Sequence, residues 1–121
     1  MEVTILRFDH FGRGVCYIDS KVCFVDGALP GEVVEIEIYK ESKNFILAKT
    51  IKIIKKSPIR IEPPCPYYLE CGGCNFQNIS YEEEINYKNE KVKDILCRYG
   101  NVDISLIKPI LFNNEYNYRN K

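Results

Sequence analysis

The chain has 121 residues, 45% hydrophobic and 28% charged, with seventeen basic and seventeen acidic side chains. That composition excludes a disordered or fibrous protein, and a zero net charge excludes strong long-range attraction to nucleic acid as a whole. No run approaches the roughly 18 apolar residues of a membrane span, and Met1-Glu2-Val3 lacks a signal-peptide start, so a cytoplasmic location with no membrane partner and with reduced thiols is expected.

In chain order, Val3-Thr4-Ile5-Leu6-Arg7-Phe8 reads as a strand, followed by a polar, glycine-bearing break at Asp9-His10-Phe11-Gly12-Arg13-Gly14. Val15-Cys16-Tyr17-Ile18 and Val22-Cys23-Phe24-Val25 flank Asp19-Ser20-Lys21 as a hairpin. After the turn at residues 27–31, Val34, Ile36 and Ile38 alternate with Glu35 and Glu37, the pattern of a half-buried strand. Residues 45–54 supply a fifth strand. The chain is thus expected to be α+β, with a small five-stranded OB-like antiparallel barrel over residues 1–56, since closure removes exposed sheet edges.

Ser57-Pro58 and Glu62-Pro63-Pro64 stiffen a connector into the cysteine-rich run, giving a second segment at 57–79. Ser80 followed by Glu83 is a capping box, and Ile85, Val92, Ile95, Leu96 and Tyr99 recur on one side, predicting a helix over 80–99 with Gly100 as its stop. That helix and a short mixed tail form the third segment, 80–121.

Charge is unevenly spread: residues 1–39 carry net −4, residues 40–60 net +6 and residues 61–121 net −2. Phosphate contacts would therefore fall to Lys49, Lys52, Lys55, Lys56 and Arg60 in the basic stretch. Phe11 and Arg13 offer a ring and a guanidinium on which an RNA base can stack. His10 has no second histidine near it and reads as a solvated loop residue. The acids Glu82, Glu83 and Glu84 suit the positive end of a helix and are assigned no catalysis.

Cys65, Cys71 and Cys74, separated by five and then two residues around Pro66 and Gly72-Gly73, cannot all pair as disulfides and read as a metal or iron–sulfur site. A fourth ligand would come from Cys16, Cys23, Cys97 or other sequence. Zinc with Cys97 recruited is one form of this site. Cys16 and Cys23, in the middle of strands, read as buried small hydrophobes.

Four blocks carry a resemblance to a known family. They are Phe24-Val25-Asp26-Gly27-Ala28-Leu29-Pro30-Gly31-Glu32-Val33-Val34, Ser57-Pro58-Ile59-Arg60-Ile61-Glu62-Pro63-Pro64-Cys65-Pro66, Cys71-Gly72-Gly73-Cys74-Asn75-Phe76-Gln77 and Tyr118-Arg119-Asn120-Lys121. In these the chain resembles the amino-terminal part of the RNA (uracil-5-)-methyltransferases of the 23S rRNA-modifying type, with Asn78 where the family usually has histidine. The resemblance implies a TRAM domain that binds RNA, a 4Fe-4S cluster held by Cys65, Cys71 and Cys74 with a fourth ligand beyond Lys121, and S-adenosylmethionine bound by a catalytic domain absent from these residues. It implies an enzyme in which a cysteine attacks uracil, the methyl group is transferred and a base releases the product. On that view the present residues lack the catalytic groups. The alternative is a stand-alone RNA-binding module with a structural zinc site and no enzymatic activity.

Overall fold

A computed structural model describes residues 1–71, 73–74 and 76–117. Gly72, Asn75 and the closing Tyr-Arg-Asn-Lys block lie outside the described residues. The chain forms two compact units, residues 1–79 and 80–121.

The first unit is built on one sheet of six strands: β1 (Glu2–Thr4), β2 (Arg7–Phe8), β3 (Gly14–Ile18), β4 (Lys21–Asp26), β5 (Val33–Glu41) and β6 (Phe45–Lys55). Their spatial order is β1-β5-β6-β4-β3-β2. This corrects the expected five-stranded antiparallel barrel, for the sheet is six-stranded, open and mixed. Two features of pairing cause the difference. The first apolar run divides at Ile5-Leu6, so that β1 pairs with β5 while β2 pairs with β3. At the division Ile5 N–H donates to the Glu32 carbonyl at 2.9 Å, and Leu6 N–H donates to the Val15 carbonyl at 2.8 Å. Strands adjacent in sequence thus hold opposite edges of the sheet, which must curl to allow it. The second feature is β6, which returns from its antiparallel hairpin with β5 to lie parallel to β4, Val22 opposite Phe45 and Asp26 opposite Lys49. Side-chain alternation specifies which face is buried but not which strand is the neighbour.

The core is Ile5, Cys16, Cys23, Val25, Ala28, Val34, Ile36, Ile46 and Ala48. Burying side chains of the Val and Ile type stabilises by about 1.5–3 kcal/mol each. Alternation on β5 holds through Val34 and Ile36 but ends at Ile38, which is exposed because the strand outruns the core. The β3–β4 turn is tighter than the sequence suggests: Asp19 and Ser20 alone form it, at φ 49° and 69°. Two consecutive residues with positive φ match the right-handed twist of the flanking strands.

The proline-rich connector straps back on the same unit. Ile61 N–H donates to the Asn78 carbonyl at 2.9 Å, and Arg60 and Ile79 form an isolated antiparallel bridge. A short helix α1 (Tyr68–Cys71) lies inside the cysteine loop.

In the second unit α2 (Tyr81–Tyr99) occupies the stretch that the capping box and periodicity predict. Ser80 Oγ accepts from the Glu83 N–H at 3.4 Å, and Glu84 pairs with Lys88 at 2.6 Å along the helix surface. Gly100 caps the far end by donating its N–H to the Leu96 carbonyl, yet the residue in the left-handed region is Asn101, at φ 54°. Asn tolerates that conformation better than most side chains. Among the described residues, no helix is long and apolar enough to cross a membrane.

Candidate nucleic-acid interface and cysteine loop

The loop between β2 and β3 is organised by Asp9. Its carboxylate accepts the N–H groups of Phe11 and Arg13 at 2.9 and 2.7 Å, and its second oxygen accepts Arg13 Nε at 2.6 Å. The salt bridge holds the guanidinium near two rings, 5.3 Å from the centre of Phe11 and 4.4 Å from that of Phe24. Phe11 is 69% exposed, so the stack ends in an open aromatic face. Gly12 permits the loop to close against its neighbour: it sits at φ 81°, and a Cβ there would lie 2.7 Å from Phe76 Cζ. Phe76 in turn meets Phe8 edge-on at 5.5 Å. The Phe76 end of the cysteine loop is thereby packed on the loop between β2 and β3.

Between them lies an open cavity of about 560 Å³, lined by Phe11, Gly12, Arg13, Asp26, Gly27, Lys49, Thr50, Tyr68, Cys74 and Asn78. Its walls hold aromatic rings, two cations, the Asp26 carboxylate, the Cys74 thiol, hydroxyls and a carboxamide, a mixture in which the ring and the cations suit a stacked base with an adjoining phosphate. Three of the residues singled out for RNA contact, Phe11, Arg13 and Lys49, are gathered here. Lys52, Lys55 and Lys56 do not line it; they continue outward along and beyond β6, all exposed.

Across the sheet, Lys49 stands opposite Glu37 and Lys52 opposite Glu35. The Lys49–Glu37 pair is long, 3.9 Å, with both side chains more than half exposed, and a pair of that kind contributes little and yields easily to phosphate. The lysine stripe is therefore partly neutralised by the acids of β5, which the linear charge count does not reveal.

Arg60 plays a different part from the one expected. Its guanidinium turns inward and grips Glu32 twice, Nε to Oε2 at 2.6 Å and Nη2 to Oε1 at 2.8 Å, while Nη2 also donates to the Gly27 carbonyl at 2.6 Å. Glu32 is fully buried and further accepts the N–H groups of Leu29 and Ser57. Burial alone would raise its carboxyl, but the hydrogen bonds from Arg60, Leu29 and Ser57 and the Arg60 charge together hold it below its ordinary value. The clamp joins the turn before β5 to the proline connector. The Gly27–Gly31 turn and the Arg60 in the connector signal it in sequence only once their pairing is known.

In the cysteine loop Cys71 and Cys74 are exposed and Cys65 is half-buried. Tyr68 Oη donates to Asn78 Oδ1 at 3.2 Å, so Asn78 is a buried structural partner of α1. Gln77, which the sequence places in the cysteine block without an individual role, touches two of the cysteines: Cys65 N–H donates to Gln77 Oε1 and Gln77 Nε2 donates to Cys74 Sγ, both at 3.2 Å. Three thiols with no histidine among them are a donor set suited to zinc or an iron–sulfur cluster. Among the described residues, however, no three His, Cys, Asp or Glu side chains are already gathered as a metal site. The donors fit such a group by chemistry, and ligand binding would have to draw the thiols together, as is common where metal binding and local folding are coupled.

Cys16 and Cys23 face each other across β3 and β4 and are buried, as expected for core residues. Burial raises both thiols, Cys23 to about 12, where the neighbouring Cys16 adds to the rise. Thiolate reactivity follows ionisation and access. In metal-free native protein, iodoacetamide should modify Cys71 and Cys74 readily and leave Cys16 and Cys23 untouched until denaturant is added; peptide mapping by mass spectrometry reads this out. Labelling of Cys23 at the rate of Cys74 would show that the sheet opens.

Comparison with known proteins fits this arrangement. Residues 1–51 match the model of the TRAM domain. Over 117 residues the chain is 41% identical to a Legionella pneumophila protein named 23S rRNA (uracil(1939)-C(5))-methyltransferase RlmD, covering 97% of the chain and 26% of that protein. It is 44% identical over 110 residues to an uncharacterized RNA methyltransferase of Clostridium tetani, covering 91% and 24% respectively. In structure it is similar to the Pyrococcus abyssi tRNA (uracil-54, C5)-methyltransferase solved with S-adenosyl-L-homocysteine, with TM-score 0.61, 26% identity, and coverage of 80% of the chain and 21% of that protein. The TRAM match thus covers the first five strands of the sheet and the start of β6. Nearly the whole chain is similar to RNA (uracil-5-)-methyltransferases, and it spans about a quarter of the length of the relatives it matches.

Proposed function

We propose that this chain is the RNA-binding and cluster-ligating portion of an S-adenosylmethionine-dependent (uracil-5-)-methyltransferase acting on 23S rRNA. The observation that supports the reading is the cavity in which Phe11, Arg13 and Lys49 meet Cys74, because an exposed ring and a cation beside the cysteine loop would suit a stacked base and its phosphate. Phe11 and Arg13 stack an unpaired base; Lys49, with Lys52, Lys55 and Lys56 further out, holds the backbone. Arg60, expected to touch RNA, instead positions the connector through Glu32.

Cys65, Cys71 and Cys74 would hold a 4Fe-4S cluster, together with a fourth ligand from elsewhere. When bound, the cluster supplies a rigid link between the connector and the loop that packs on Gly12, since methyl transfer from a sulfonium to a uracil carbon needs no electron from the protein. Tyr68, Asn78 and Gln77 shape the loop, and Phe76 carries its position to the Asp9–Arg13 turn.

The reading predicts that the full-length protein, purified without oxygen, contains iron and sulfide in place of zinc and forms 5-methyluracil in 23S rRNA from S-adenosylmethionine. Elemental analysis and mass spectrometry of nuclease digests measure both. Replacing Cys65, Cys71 and Cys74 by Ser should remove the iron. Stoichiometric zinc, lost on Cys97→Ser, together with unmodified RNA, would favour a zinc-bearing RNA-binding module.

A further inference from the structure

Gln77 is nearly buried, and both polar atoms of its amide are spent on cysteine residues. The orientation of the amide is dictated by chemistry: the Cys65 main-chain N–H can only donate, so the atom 3.2 Å from it must be Oε1, which leaves Nε2 to point at Cys74 Sγ, also at 3.2 Å. One side chain thereby fixes the backbone at the first cysteine and the sulfur of the third. The alternative use for a buried glutamine, as a filler satisfied by any two backbone groups, would not require a donor aimed at a sulfur atom.

We infer that Gln77 is a positioning residue for the metal group held by Cys65, Cys71 and Cys74, holding the backbone at the first cysteine and donating an N–H···S hydrogen bond to the Cys74 sulfur. The inference rests on the reading that these cysteines are metal ligands. A thiolate bound to a metal keeps much of its negative charge, and an N–H donor directed at it stabilises that charge and orients the ligand. In an iron–sulfur cluster the same bond favours the more electron-rich, reduced state and so raises the reduction potential.

The test compares Gln77→Glu, which keeps an oxygen for the Cys65 N–H but removes the donor to sulfur, with Gln77→Met, which removes both. Cobalt(II) is the first probe, because its thiolate charge-transfer absorption reports sulfur coordination in the chain without any cluster assembly or enzymatic activity. Both variants should bind cobalt about 10–100-fold more weakly than the parent, the usual effect of removing such an outer partner. Gln77→Glu should retain hydrogen-exchange protection at the Cys65 amide, and the anaerobically reconstituted cluster should have a lower potential in both variants.

Parent-like cobalt affinity and potential in Gln77→Glu would overturn the proposal while leaving the cysteine ligands in place. Loss of Cys65 amide protection alongside affinity in Gln77→Glu would also overturn it, making Gln77 a loop clip only. If the parent itself binds neither cobalt nor iron, the ligand reading fails and takes the proposal with it. Unchanged far-ultraviolet circular dichroism in both variants confirms that the sheet is intact when these readings are made.

Discussion

Arg60→Met will destabilise the sheet unit by about 3–5 kcal/mol at neutral pH, the cost expected when one partner of a buried ion pair is removed and the other stays charged. Glu32 is the residue left behind, fully buried with the Arg60 guanidinium 2.6 Å away in the parent. The sign of the pH dependence follows from the parent carboxyl, which lies below its ordinary value of 4.5 in the folded chain. Its contribution to stability is therefore complete above that value and is lost as the pH falls through the lower, folded-state pKa. In Arg60→Met only the Leu29 and Ser57 N–H groups remain to offset the desolvation of Glu32, so its folded pKa rises relative to the parent and acidification costs the variant less by neutralising the carboxyl. The gap between parent and variant should thus be widest at neutral pH and narrow in acid. Urea titrations followed by circular dichroism at both pH values measure it; a gap under about 1 kcal/mol, constant with pH, would mean that the pair behaves as an exposed one.

Phe11→Ala should weaken binding of looped or single-stranded RNA by about 1–3 kcal/mol, the value of one base stacked on an aromatic ring, with little change in the dependence on salt. Phe11 is exposed and contributes little to the core, so the folded sheet should be unaffected. The lysines should behave in the opposite way. Each lost phosphate contact should lower the slope of log K against log salt by roughly 0.7–0.9. Replacing Lys52, Lys55 and Lys56 by Gln should flatten the slope, with Lys55 and Lys56 contributing more than Lys52, which faces Glu35 across the sheet. Fluorescence anisotropy over a salt series separates the two behaviours. Equal effects of Phe11→Ala and the lysine changes on slope would show that the ring only supports the loop.

Much of the first unit is legible in the sequence because each strand has a clear inward set. Val34 and Ile36 on β5 and Ile46 and Ala48 on β6 are buried as alternation requires, and the capping box at Ser80 marks the start of α2. What alternation cannot carry is partner choice. The break at Ile5-Leu6 depends on carbonyl and N–H groups of Glu32, Gly31 and Val15, and the parallel pairing of β6 with β4 depends on where a hairpin lands. The sites divide in the same way. Phe11, Arg13 and Lys49 can be named as candidates from residue type, but the Asp9 carboxylate that assembles the loop and the inward turn of Arg60 are consequences of tertiary contact. Gln77 stands in a block that carries the resemblance, but its role is not legible there, because a glutamine three residues after a cysteine has no chemical signature until its amide is seen against Cys65 and Cys74.

Direct binding of RNA by the unaltered chain is the measurement closest to the central claim. A looped segment of 23S rRNA and a fully paired duplex of equal length should be titrated against it at about 50 and 200 mM salt, a range over which phosphate-dependent binding falls steeply. The loop should bind more tightly than the duplex at both concentrations, because unpaired bases alone can reach the Phe11–Arg13 stack, and both affinities should drop with salt. Equal affinity for loop and duplex, or no binding to either, would contradict the assignment of this cavity to RNA.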